Sequence, residues 1–143
     1  MTMFTFKRAL TIEWAQCDPA GIVYYPNYFS MFSESTIALL AAAVGFNKRE
    51  MMRRYGIIGI PMLDTRAVFH ASSRFGDHVI IESEVTRLGR SSFDIEHKMT
   101  KDGVLMIECS EKRVWAVQDP NDPDRIKSEA ITAAVADALR QSC

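Results

Sequence analysis

Between Pro26 and Gly45 the chain is apolar around most of a helical circumference. Phe29, Phe32, Thr36, Leu39, Leu40 and Ala43 recur at spacings of three and four, and the other side carries Ser35, Ala38, Ala41 and Ala42. Pro26 suits a first helical residue, since its missing N–H has no partner to lose there. Gly45 suits the stop. A helix with this composition is buried on more than one side. The remaining residues must therefore supply a concave apolar surface to receive it.

Strand signals supply that surface. Residues 3–14, MFTFKRALTIEW, mostly alternate, with Phe4, Phe6, Leu10, Ile12 and Trp14 on one side and a slip near residues 7–9. Four further strand-like runs follow at 62–74, 78–88, 92–101 and 104–117. The third alternates most cleanly: Phe93, Ile95, His97 and Met99 face one way, Asp94, Glu96 and Lys98 the other. Gly76-Asp77, Gly89-Arg90 and Asp102-Gly103 separate the runs, and the last is a hairpin turn signal. A short polar helix is expected over 48–55, ending near Gly56. DPNDPD at 119–124 reads as a loop, and Ser128 is expected to cap a final helix with Glu129 in its first turn. The order predicts an α+β domain over residues 1–143, an antiparallel sheet of about five strands wrapped round one long central helix. Hairpin-linked strands leave an edge that a second copy could extend, so a homodimer is expected.

A net charge of −1 provides no footprint for nucleic acid or an anionic membrane, so an anionic ligand must meet locally clustered cations. Cys17, Cys109 and Cys143 are odd in number and lack metal-ligand spacing. They fit a reducing, cytoplasmic setting. No signal-like start is evident, and no apolar run approaches the roughly 20 residues that span a bilayer. A soluble protein is expected, with no membrane partner.

The stretch 17–28, CDPAGIVYYPNY, sets Asp18 in a tight turn just before the long helix. Two readings compete. An Asp-Pro-x-Gly sequence is a common turn in which Asp bonds its own following amides. Alternatively, Asp18 faces the unpaired N–H groups of the helix start, which carry partial positive charge. Gly21, without a Cβ, lets a ligand approach the backbone closely. A carbonyl oxygen against those N–H groups would be polarised, and Asp18 could attack the carbon or activate a water. A thioester suits a lone carboxylate: its thiol, with a pKa near about 8.5, departs as thiolate without a strong acid. An amide would need protonation, and this stretch has no histidine.

Residues 17–28, the element order and Gly56-Ile-Ile-Gly-Ile-Pro61 together resemble the 4-hydroxybenzoyl-CoA thioesterase family of hot-dog proteins, over residues 10–127. The resemblance implies an acyl-CoA thioesterase with Asp18 as nucleophile or general base and the backbone N–H of Tyr25 on the thioester oxygen, with Tyr24 shaping the entrance. It implies a homodimer or a tetramer of two dimers, with the pocket at a subunit boundary. Coenzyme A phosphates would meet Arg90 beside Ser91, in the turn Arg87-Leu-Gly-Arg-Ser-Ser92, and Lys127. Gly89 and Ser91 stand where the family has basic residues, so Arg87 or Lys101 could assist, although Arg87 also reads as a solvated surface charge. Ser33 stands where the 4-hydroxybenzoyl enzyme has an acid for the phenolic hydroxyl, Ile60 where it has a hydroxyl residue, and Gln16 replaces an acid common in the motif. Glu34 points to another helical face. These departures imply a different acyl group, such as an unsubstituted aromatic or a short to medium aliphatic chain.

The other readings rank lower. A non-catalytic acyl-CoA-binding protein of the same fold is the main alternative. A dehydratase would need an Asp and His pair where the motif has only Asp18. Cys17 reads as a small buried hydrophobe, and His97 as packed within the sheet. His70 and His78 have no ligand-spaced partner, and no metal, flavin or nicotinamide signature is present.

Overall fold

A computed structural model describes residues 3–141, so Cys143 lies outside the described residues. Five strands form one antiparallel sheet: β1 (Thr5–Thr11), β2 (Met62–Phe69), β3 (His78–Leu88), β4 (Ser92–Lys101) and β5 (Val104–Val114), in the order β1-β3-β4-β5-β2. The helix α1 (Pro26–Val44) lies on its concave face, and α2 (Lys48–Tyr55) follows it. Gly45 ends α1 at φ 87°, a left-handed value that costs other residues free energy.

The alternation read in the third run holds over three strands. Val79, Ile81 and Val85 of β3, Phe93, Ile95 and Met99 of β4, and Ile107 and Cys109 of β5 are buried facing α1, which contributes Met31, Phe32, Leu39 and Leu40. Asp102 (φ 51°) and Gly103 (φ 78°) make the expected hairpin turn. The helix packs on β1 and β3 of the sheet and on the last helix of the chain. Edge strand β2 is exposed along nearly its whole length, including Met62, Leu63, Val68 and Phe69. Enclosure of α1 is therefore incomplete within one chain.

Several boundaries differ from expectation. Trp14 leaves the first strand for a single 3-10 turn, Trp14–Gln16. The 62–74 run stops at Phe69, where the chain turns to run under the Asp18 hairpin. The 104–117 run breaks after Val114 into β6 (Ala116–Gln118), which pairs with β7 (Ile126–Ser128) around the DPNDPD loop. Ser128 does not cap the last helix. It pairs with Ala116, and α3 (Ala133–Leu139) begins after Thr132. Ser128 is held in the β6–β7 ladder, four residues before the N-cap of α3, so its side chain is not at a helix start.

Candidate active site

The motif folds as a tight hairpin in which Cys17 pairs with Val23. Asp18 N–H donates to Ile22 O at 2.9 Å, and Gly21 N–H to Asp18 O at 2.9 Å. Asp18 Oδ1 accepts the Ala20 N–H at 2.8 Å, so the turn reading holds for one carboxylate oxygen. No bond engages the second oxygen among the described residues, and Asp18 is half-buried. The turn itself requires a glycine at position 21, where φ is +81°, and a Cβ there would meet no protein atom within 4 Å.

The connection between β2 and β3 holds the hairpin in place. Phe75 N–H donates to Gly21 O, Val23 N–H to Ser73 O, and Ser73 N–H to the Tyr28 hydroxyl at 2.9 Å. Asn27 Nδ2 and Tyr24 N–H both donate to Gln16 O.

These contacts leave one amide at the helix mouth. Pro26 has no N–H, Asn27 donates to Tyr24 O at 2.8 Å, and Tyr28 to Tyr25 O at 3.1 Å. The Tyr25 N–H, at the N-cap of α1, has no acceptor among the described residues. The several free amides expected from sequence thus reduce to one. Beside it opens a cleft of about 300 Å³, walled by Ile22, Val23, Tyr25, Tyr28, Phe69 and His70. Asp18, on the other strand of the hairpin, is not among its lining residues. Exposed Tyr24 packs edge to face on Tyr25.

The cations expected for phosphate lie elsewhere. Arg90 and Ser91 form the turn between β3 and β4, and Lys127 lies in the middle of β7; all three adjoin Trp115 and its neighbours. Trp115 N–H donates to Ser91 O, Glu129 N–H to Trp115 O and Ile131 N–H to Arg90 O. Arg90 and Lys127 are exposed. Arg87 and Lys101 are committed to the fold instead: Arg87 chelates Asp94 through Nε at 2.9 Å, and Lys101 holds Asp77 at 3.0 Å. The Asp18 hairpin is tied to the start of β3 and Arg90 follows its end. The two sites therefore stand at opposite ends of β3, which spans at most about 35 Å at about 3.3 Å per strand residue.

A buried polar cluster escaped the sequence reading. Glu111 and Arg113 are both on the inward face of β5 and almost wholly buried. The Arg113 guanidinium donates to both Glu111 oxygens at 3.2 Å, to Ile60 O at 3.0 Å and to Ser33 Oγ at 2.9 Å. The Thr36 hydroxyl donates to Glu111 Oε1, and His97 bridges Thr36 and Ser83 while stacking on Phe32. Burial alone would push the Glu111 carboxyl up, but bonds from His97, Arg113 and Thr36 outweigh it and hold it at about 2. His97 is packed in the sheet as expected, and it is also a member of this network. The one signal for it was a pair of opposite charges two residues apart, which places Glu111 and Arg113 on one face of the strand. His70 pairs with Glu108 at 3.1 Å, and His78 with the Thr11 hydroxyl at 2.9 Å. Burial pushes the Cys109 thiol up to about 11, which suits a packed side chain rather than a nucleophile.

The chain is similar to several known proteins. The 4-hydroxybenzoyl-CoA thioesterase of Pseudomonas sp. (strain CBS-3) is 28% identical over 127 residues, covering 85% of this chain and 88% of that protein. The 1,4-dihydroxy-2-naphthoyl-CoA hydrolase of Synechococcus elongatus is 27% identical over 100 residues, covering 70% and 71%. The solved structure of the Pseudomonas enzyme superposes with a TM-score of 0.85 over 94% of this chain and 98% of that one, at 26% identity. That of a gentisyl-coenzyme A thioesterase gives 0.80 over 94% and 99%, at 30% identity. The sheet curled on α1 is accordingly the hot-dog fold. The family model of the thioesterase-like superfamily matches residues 12–139, and the chain belongs to that superfamily.

Proposed function

We propose that this protein hydrolyses acyl-CoA thioesters, with an aromatic acyl group favoured, to the free acid and coenzyme A. The observation that carries the proposal is the single unpaired amide of Tyr25 at the mouth of α1, next to an aromatic-walled cleft and a few residues from Asp18. The names of the similar proteins, which are thioesterases and hydrolases of aromatic CoA esters, support it. In this mechanism the thioester oxygen lies against the Tyr25 N–H, where the helix dipole favours developing negative charge. The free oxygen of Asp18 either attacks the carbonyl carbon or takes a proton from an attacking water. The C–S bond then breaks, and the sulfur leaves as thiolate; with water as nucleophile this gives the free acid directly, and with Asp18 as nucleophile it leaves an acyl-aspartyl anhydride that a water cleaves to the free acid and the restored carboxylate.

Arg90 and Lys127 meet the phosphates in this proposal, and they do so from a second copy. Within one chain they are at the wrong end of the sheet, beyond the reach of the arm joining thioester to phosphates. Pairing of two exposed β2 strands about a twofold axis turns one sheet end for end against the other. The partner's cation-bearing turn then approaches this chain's Tyr25 cleft. A homodimer, or two such dimers in a tetramer, is the proposed assembly, and the cytoplasm its proposed location.

Asp18→Asn tests the chemistry. Free-thiol release from benzoyl-CoA is expected to fall about 10²–10⁴-fold, the usual contribution of a proton-transferring or nucleophilic carboxylate. A rate near that of the wild type removes Asp18 from the mechanism.

A further inference from the structure

The last residues of the motif, Pro26-Asn27-Tyr28, take no part in the chemistry proposed above, yet two of their side chains tie α1 to the Asp18 hairpin. Asn27 reaches the arm that leads into Asp18. Its Nδ2 donates to Gln16 O at 2.8 Å, beside the Tyr24 N–H that bonds the same oxygen at 2.9 Å. Tyr28 holds the arm that leads away, through one intermediary. Its hydroxyl accepts the Ser73 N–H at 2.9 Å, and Ser73 O accepts the Val23 N–H at 2.9 Å. Val23 pairs with Cys17, the residue before Asp18, and Ile22 O accepts the Asp18 N–H. The first turn of α1 thus grips both arms of the hairpin, directly after the residue that carries the free amide.

Tyr28 is buried, and its ring lines the cleft and leans on Phe69 at 5.7 Å between centroids. The hydroxyl lies on Ser73, which is wholly buried and is not part of the cleft wall. Stability alone does not account for this joint. Ser73 Oγ is buried with no partner among the described residues, and the phenol proton of Tyr28 is uncommitted among them, so the contact carries an unmet desolvation cost. What the joint supplies is position. A buried tyrosine has two side-chain torsions, both held by packing, so its hydroxyl is a fixed point for the outgoing arm. Asp18 needs such support from outside. One of its oxygens bonds its own turn, but nothing in that turn sets the distance to the Tyr25 amide.

We infer that Asn27 and Tyr28 are positioning residues for hydrolysis: together they set the gap between the Asp18 carboxylate and a thioester carbon held at the Tyr25 amide. They act through Asp18, and their polar groups touch no reacting atom. The inference rests on the thioesterase reading above and deepens it at the same site.

The test is a double-mutant cycle on kcat with benzoyl-CoA. Tyr28→Phe keeps the ring in the cleft wall and removes only the hydroxyl. Its kcat is expected to fall about 10–10²-fold, the range that a misplacement of about 1 Å produces, while KM changes less than about threefold. Asn27→Ala is expected to act in the same direction. In an Asp18→Asn background each change is expected to cost less than about twofold, because a group that no longer reacts has no position to lose. The thermal transition is recorded for every variant to confirm folding. A purely structural role lowers that transition and leaves kcat per folded molecule unmoved. Equal losses in both backgrounds, a loss carried by KM, or a kcat within about twofold of the wild type in either variant overturns this inference alone. Asn27→Ala, at a half-buried position, decides the matter if Tyr28→Phe does not fold. A wild type that releases no thiol from benzoyl-CoA, or an Asp18→Asn variant as fast as the wild type, overturns the inference together with the reading it rests on.

Discussion

Asp18 and Glu111 show what one carboxylate does under opposite conditions. Asp18 is half-solvated and spends one oxygen on its own turn, which leaves the other free for chemistry. Glu111 is buried and fully engaged, so its contribution is to the fold. Its carboxyl sits at about 2 instead of the ordinary 4.5, which fixes the sign of its pH dependence. A depressed acid stabilises the folded state above its ordinary value, and that stabilisation is lost as pH falls from about 4.5 to about 2. The loss across that window is about 3 kcal/mol at 1.36 kcal/mol per unit. Glu111→Gln is expected to lower stability at pH 7 by about 3 kcal/mol, since it leaves Arg113 buried without its counter-charge. Urea unfolding at pH 7 and pH 3 checks both parts: the variant should start lower and lose less between the two. The motif made Asp18 conspicuous. Glu111 was hidden by its place in a charged-looking run, ECSEKRV, whose alternation only the opposing α1 makes meaningful. The Tyr25 amide poses a related difficulty, because substitution of the ring leaves the hydrogen where it is.

Elements were legible where one signal acted alone. Pro26, the three- and four-residue spacing and Gly45 bounded α1 without competition, and strict alternation bounded β3 and β4. Errors fell where two signals met. Ser128 is a good cap, but the backbone around it has a strand to complete, and β6 supplies it. At α2 the local signal is sufficient: Asn47 accepts the Glu50 N–H at 2.9 Å, and Gly56 closes the helix at φ 67°. Asn47→Ala is expected to cost about 1 kcal/mol in thermal or urea unfolding. Gly45→Ala should cost about 1 kcal/mol by forcing a Cβ into the left-handed region at the end of α1. A loss well below half that at either position would show that the cap is set by tertiary packing instead.

At the scale of the molecule, Asp18 and the cations proposed for phosphate were both singled out in the sequence, but their separation along β3 was not. Distance along a chain says nothing about which end of a sheet a turn occupies. Under the composite-site proposal, Asp18→Asn and a double charge reversal, Arg90→Glu with Lys127→Glu, are each inactive alone for different reasons. Unfolded together and refolded, they form mixed dimers with one intact site. Activity should recover to about a quarter of the wild type, since half the dimers are mixed and each has one working site of two. No recovery would mean that both functions belong to one chain. Val68→Lys on the exposed edge of β2 should shift light scattering to a monomer and abolish turnover together. Under that proposal, with acid and cations at opposite ends of each sheet, catalytic output is tied to the protein's own abundance. Below the concentration at which pairs persist, dilution alone silences it, and specific activity becomes a readout of how much of the protein a cell holds.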